Sequence, residues 1–437
     1  MKLPVVGSET THSDEDGEMK TSFALGTVGA ALAGIFLALT AAPAAQAEQI
    51  EVLFANSNLI TGIQQGFKNT FERTHSGDTV SFQPALEYND AMAITLRQSV
   101  VGALHDLGYY GVSDVCTLAD RGIAQPLDGL IQSDPAWKSL GVPDSALEVT
   151  KCHGVTYGVP VGASFMVVIF NKKLVAEAGG DPNNLPKTWP EIIDLGRKIK
   201  AKSGGISMSY MASSSWSFMT LVQSQGGQIL TPDGKNVAFD SPAGLKALQI
   251  LADVGAARDH VDMTKAQGRQ AFVSGTLGIL VDSSSGLTDY KKATKDSFEI
   301  GVVSFPLAPG GKLPPSGFAG VLQATNKDKQ KLAWDYLKYS ASADGQTLIG
   351  KTTGFLPFNE TAIHAADKLG AYYAENPELS VAAESIKNAT VWPSFPGPNG
   401  LKIHQLVMDY LQKVYVGAMT PEVALPEMAE KTRALLK

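Results

Sequence analysis

Apolar positions recur along the chain in two alternating periods. Residues 51–55 make a short apolar run that predicts a strand, and Ile63, Phe67 and Phe71, four apart, predict the helix after it. Residues 79–82 alternate as a strand, and residues 89–101 return to helical spacing through Ala93, Leu96 and Val100. Thr188-Trp-Pro-Glu191 has the form of a capping box, with Thr188 expected to accept from the N3 amide and Glu191 to reach back; Ile192, Leu195 and Ile199 supply the stripe behind it. Ser241-Pro242 opens another helix with an N-cap and an N1 proline, striped by Leu245, Leu248 and Ala252. Thr231-Pro-Asp-Gly234 predicts a turn. Strands alternating with helices predict an α/β layer fold with a largely parallel sheet. With no internal repeat and no low-complexity linker, no single flexible linker is expected between domains.

The amino end departs from this pattern. Residues 21–47 carry no charge, residues 23–39 are almost wholly apolar or small, and Pro43 precedes Ala45-Gln46-Ala47, an A-x-A box. That is the form of a secretory signal peptide cleaved after Ala47, giving a periplasmic protein; an uncleaved anchor is the competing reading. The first residues are acidic, the wrong sign for a signal, and Met19-Lys20 offers an alternative start. Losing residues 1–47 removes two Lys and five acids and takes the net charge from −7 to −4. Hydrophobic residues at 44% and charged residues at 18% describe a folded globular chain, and the acidic balance leaves no general footprint for nucleic acid.

Enzyme motifs find little support. Gly345-Gln-Thr-Leu-Ile-Gly350-Lys351-Thr352 fits G-x4-G-K-T, but helical spacing precedes it and Gly354 and Pro357 follow, so a chance match is expected. H-E-x-x-H and G-x-S-x-G are absent, and the seven His are scattered without metal-ligand spacing. No metal, cofactor or catalytic residue is assigned; a glycosidase acid pair distant in sequence stays open. Cys116 and Cys152 fit either a disulfide or two buried thiols.

A series of short motifs carries a resemblance. Tyr157-Gly-Val-Pro160, residues 167–172, Ala178-Gly179, Lys187-Thr-Trp189-Pro-Glu191, Gln225-Gly-Gly227, Phe239-Asp-Ser-Pro242, Phe272-Val-Ser-Gly275, Gly354-Phe-Leu-Pro357 and the carboxyl-terminal Gly417 to Leu425 stretch occur in one order. In that order, over nearly all of residues 50–437, the chain resembles the extracellular solute-binding proteins of carbohydrate ABC transporters. The group includes the maltose- and glycerol-3-phosphate-binding proteins. The resemblance implies the two-lobed periplasmic binding protein fold of type II. It implies a ligand clamped between the lobes, no enzymatic activity, and a monomer that delivers a carbohydrate to the permease subunits of an importer. Lobe one is expected over residues 48–163 and 281–325, lobe two over 164–280 and 326–437.

The resemblance also selects residues. Tyr88, Ser164, Ser283 and Gly317 match cleft positions of the glycerophosphate-binding relatives. The relatives' Glu falls at Gly111, their second Tyr at Phe355 and their Arg near Pro396, so the bidentate cation for a phosphate is missing. An uncharged sugar, oligosaccharide or polyol is therefore the first expectation and a glycerophosphate ligand the second. Sugar rings pack on aromatic faces, which makes Tyr88, Tyr110, Phe165, Trp216, Phe355 and Trp392 candidates. Asn56, Asn58, Asp90, Ser164, Asp282 and Ser283 are the candidate hydrogen-bonding groups. Trp216, in the polar run Ser213-Ser-Ser-Trp-Ser217, is the foremost stacking candidate.

Overall fold

The computed structural model describes residues 47–436 except 56, 85, 205, 211, 213, 324–326, 391, 392, 394 and 398, and of 57–61 and 203 the backbone alone. The signal-like segment lies outside the described residues. Among those described, no helix is long and apolar enough to cross a membrane.

Strand β1 (Gln49–Phe54) leads through helix α1 (Ser57–Thr74) to β2 (Thr79–Phe82), and α2 (Tyr88–Val101) leads to β3 (Leu107–Gly111). Both crossovers return the chain in the same direction, so β1 pairs in parallel with β2 and β3. The α1 stripe of Ile63, Phe67 and Phe71 is buried against this sheet, where the rings of Phe54 and Tyr109 stack at 4.2 Å. A short helix, α3 (Val115–Asp120), follows β3. The hairpin β4 (Lys151–Cys152) and β5 (Val155–Thr156) then feeds β6 (Val159–Ser164). Cys116 and Cys152 form a disulfide between α3 and β4.

One residue beyond β6, β7 (Met166–Asn171) lies in a second sheet. That body continues through α4 (Trp189–Ser203), β8 (Ile206–Tyr210), α5 (Ser215–Ser224), α6 (Pro242–Ala257), α7 (Lys265–Val273), β9 (Leu277–Ser283) and β10 (Ile300–Ser304). Its strand order is β10-β7-β9-β8. The chain returns to the first sheet in β11 (Ser316–Leu322), giving the order β2-β1-β3-β11-β6. Helices α8 (Lys327–Ala341) and α9 (Ala343–Thr352) pack on that sheet, where Trp334 stacks on Trp137 at 5.3 Å. Helices α10 (Gly400–Tyr415) and α11 (Pro421–Leu435) close the second body.

Several details differ from the sequence reading. Both sheets are mixed rather than largely parallel: β11 is antiparallel to β3 and β6, and β7 is antiparallel to β9 and β10. Strand β10 lies in the second sheet although residues 281–325 were expected in lobe one, and the return crossing lies after residue 304. Helices α8 and α9 cover the first sheet although residues 326–437 were expected in lobe two; the buried Leu332, Tyr336 and Leu337 belong to its core. The P-loop-like motif is inside α9. Thr188 is an N-cap by position, but its hydroxyl donates to the Glu191 carboxylate at 2.8 Å instead of capping an amide. A full capping box occurs at Thr264 and Gln267. Ser241 caps α6 through the Gly244 amide as expected.

Candidate functional site

A cleft of about 180 Å³ opens where the two bodies face each other. The first body supplies Glu87, Tyr88 and Asn89 at the start of α2, Gly111, Ser113 and Asp114 beyond β3, and Ser316 and Gly317 at the start of β11. The second supplies Ser214 and Ser215 at the start of α5, Lys265 at the start of α7, and Leu401, His404 and Met408 on α10. Four helices thus begin at this cleft. Glu87 and Lys265 also line an adjoining chamber of about 440 Å³ with Tyr210, Arg269 and Gln412. A separate furrow of about 340 Å³ around Trp189, Ile193 and Pro306 is formed by the second body alone.

The cations of the cleft carry their own counter-charges. Arg269 donates two hydrogen bonds to Asp282, at 2.6 and 3.1 Å, and Tyr290 adds a third at 2.5 Å. Burial alone would raise the Asp282 carboxyl, but Arg269 outweighs it and holds the group below the usual carboxylate range. Burial and the neighbouring Arg269 lower the Lys265 ammonium, while Asp282 and Glu87 pull it back up. His404 is pushed down to about 4 by burial, so it is neutral at pH 7, and its Nδ1 lies 2.5 Å from the Ser215 hydroxyl.

Asp114 keeps some solvent contact at the cleft, yet the protein around it pushes its carboxyl up to about 7, with the Gly111 amide acting the other way. A carboxyl raised in the folded state binds its proton more tightly there than when unfolded. Its contribution to stability is therefore fully present below the unfolded value near 4 and is lost as pH rises through about 7. Asp114→Asn is expected to flatten that part of the stability–pH curve, which urea midpoints at pH 5 and 8 measure.

Of the sequence-predicted residues, Tyr88 and Gly317 line the cleft. Ser164 is buried opposite Ser316 in the β6–β11 pairing, and a Cβ on Gly317 would lie 2.1 Å from the Gly162 carbonyl oxygen, so those strands pass too closely for any side chain there. Asp90 is exposed on the first turn of α2. Asn56 and Trp392 lie outside the described residues, as does the side chain of Asn58.

Six others lie outside the lining of this cleft. Tyr110 is buried with its hydroxyl 2.8 Å from both Thr95 Oγ1 and Gln323 Nε2, and Phe355 packs edge-on against Phe318. Phe165 is in the second body's core. Asp282 is 1% exposed and saturated by the partners above. Ser283 bonds Ser285 and caps the turn after β9. Trp216, 3% exposed, donates its indole N–H to the Pro314 carbonyl at 2.9 Å, so it anchors the β10–β11 crossing instead of offering a stacking face. Trp216→Phe is expected to strand that carbonyl and cost about 1–3 kcal/mol of stability, with ligand affinity within twofold. Denaturant melts beside calorimetry check both.

Lys265, His404, Asp114 and the serines 214 and 215 were not singled out from sequence. The polar run at 213–217 was the available signal; its Ser214 and Ser215, not its Trp, reach the cleft.

The matches to known proteins agree with this architecture. A protein of Brucella abortus (strain 2308) named as a binding protein is 25% identical over 417 residues, covering 93% of this chain and 97% of its own. UgpB from Mycobacterium tuberculosis, solved with glycerophosphocholine, superposes with a TM-score of 0.79 at 18% identity over 89% of this chain and 98% of its own. The GacH receptor of Streptomyces glaucescens, solved unliganded and with acarbose, gives 0.77 at 20% identity over 89% and 98%. Both have the fold of two lobes about a cleft. Residues 67–380 match the model of the bacterial extracellular solute-binding proteins, and the chain belongs to that family.

Proposed function

We propose that the protein captures an uncharged polyhydroxylated solute, a sugar, oligosaccharide or polyol, in the periplasm and delivers it as a monomer to the permease of an ABC importer. The observation that carries this reading is the charge balance of the cleft. Arg269 is taken up by Asp282, Lys265 faces Glu87, and Ser113, Ser214, Ser215, Ser316 and Asn89 offer hydroxyl and amide groups. Such a lining satisfies hydroxyls without requiring ligand charge, and Leu401, Met408 and Tyr88 provide apolar surface for C–H faces. Among the described residues Glu87 and Asp114, both from the first body, are the carboxylates that line this cleft, while Asp262 of the second body lines the adjoining chamber with Glu87.

One observation favours a second reading. Helix starts and Lys265 together suit an anionic group, and a glycerophosphate ligand is the alternative. Thermal-shift screening of mono- to trisaccharides, polyols, glycerol 3-phosphate and glycerophosphocholine separates them. A true ligand at a hundredfold its Kd stabilises the fold by about 2.7 kcal/mol. Stabilisation by a neutral compound, unchanged between low and high salt, supports the first reading. Stabilisation only by phosphate-bearing compounds, weakened by salt, supports the second.

A further inference from the structure

We propose that the Cys116–Cys152 disulfide is a positioning element of the ligand cleft, holding the turn that carries Ser113 and Asp114. The inference rests on the reading that this cleft is the ligand site. The turn, Val112–Asp114, springs from Gly111 at the end of β3, and Cys116 is the second residue of α3 immediately after it. It folds back tightly: a Cβ on Gly111 would lie 3.0 Å from Asp114 Oδ2 and 3.5 Å from the Tyr88 ring, so three cleft residues meet at this point.

The other end of the bridge is firmly held. Cys152 belongs to the β4–β5 hairpin, whose Thr156 accepts from the Leu127 amide at 2.8 Å, while Thr150 donates to the Gly158 carbonyl at 2.7 Å. The hairpin runs directly into β6, which ends at Ser164 opposite Ser316 of the cleft. The disulfide therefore joins two arms that reach the same site.

Val112 packs against the core around Tyr110 at the start of the turn, and the disulfide clamps its far end. Helix α3 has six residues, too few to persist by its own hydrogen bonding. Its second clip, Asp120 to His153 at 2.9 Å, is solvent-exposed and weak. Val115 and Leu118 pack inward, but they hold the helix rather than the two residues before it.

The test reads the turn without any ligand. The ¹³Cγ resonance of Asp114, assigned through Asp114→Asn, is titrated in the oxidised mature protein, in Cys116→Ala/Cys152→Ala, and in wild type treated with dithiothreitol. That reagent closes to its ring disulfide as the Sγ–Sγ bond opens to two thiols. Glu87, Lys265 and His404 line the same cleft, Tyr110 interacts with Asp114 from the core, and all four residues are kept in all three. In both bridge-less forms the midpoint is expected to fall by about one unit or more toward the ordinary carboxylate range. Amides 112–116 are expected to exchange about tenfold faster as the turn opens locally. Asn359→Ala, which removes bonds to the Leu140 and Ala341 carbonyls away from the cleft, should move neither. An unchanged midpoint and unchanged exchange in the bridge-less forms would overturn the proposal, as would unfolding of both, which makes the bridge a requirement of the fold alone. A shifted midpoint in a protein whose cleft takes no solute would leave the positioning intact and refute the site.

Discussion

Arg269→Met is expected to lower the stability of the protein by about 3–5 kcal/mol, the effect of breaking a buried pair from one side. The Asp282 carboxylate is almost wholly shielded from water, and Arg269 makes two of its hydrogen bonds. Without the guanidinium, Tyr290 and the Ser283 amide remain, and neither neutralises the charge. In the native protein the Asp282 carboxyl is held down, so its contribution is present above the unfolded value near 4 and lost as pH falls through the lower folded value. In the variant burial, opposed only by Lys265 and the remaining hydrogen bonds, raises the carboxyl relative to wild type, so the deficit should shrink on acidification. Urea melts of both proteins at pH 4.5 and 7.5 measure this. A variant as stable as wild type at both pH values would mean that water or movement compensates the charge.

Removing the disulfide is expected to have a comparable effect. The bridge spans 36 positions, and closing a loop of that length restricts the unfolded chain by about 4 kcal/mol in the chain-entropy description. The midpoint of Cys116→Ala/Cys152→Ala should fall accordingly, and the unreduced, denatured wild type should show no titratable thiol. Two reactive thiols would contradict the bridge.

The sequence made the larger architecture legible because its information is local and periodic. Ile63, Phe67 and Phe71 do form the buried stripe of a helix, and Ser241-Pro242 does cap one. The ordered motifs pointed to the family because each marks a turn or strand end that any such fold repeats. Which aromatic faces a cleft is a different kind of question. Trp216, Phe165 and Phe355 look the same in sequence whether they meet a sugar or a core, and only packing from distant segments, such as Pro314 over Trp216, decides it. The cations were hidden for the same reason: Arg269 and Lys265 share one face of α7, but their approach to Glu87 depends on how the two bodies meet. The return crossing after residue 304 left no composition shift to read, because it is strapped by backbone bonds to residues 223 and 224 rather than left as a linker.

The cleft between the two sheets is expected to hold a neutral polyhydroxylated solute. Titration calorimetry of the mature protein with the compound selected by the thermal screen tests it most directly, beside Asn89→Trp. Asn89 is exposed at the rim, so an indole there obstructs the cleft without disturbing the core. One site per chain for a sugar or polyol is expected, with an affinity that changes little with salt and with loss of that binding in Asn89→Trp at an unchanged melting temperature. Full affinity in the obstructed variant, or binding confined to phosphate-bearing compounds and screened by salt, would contradict it.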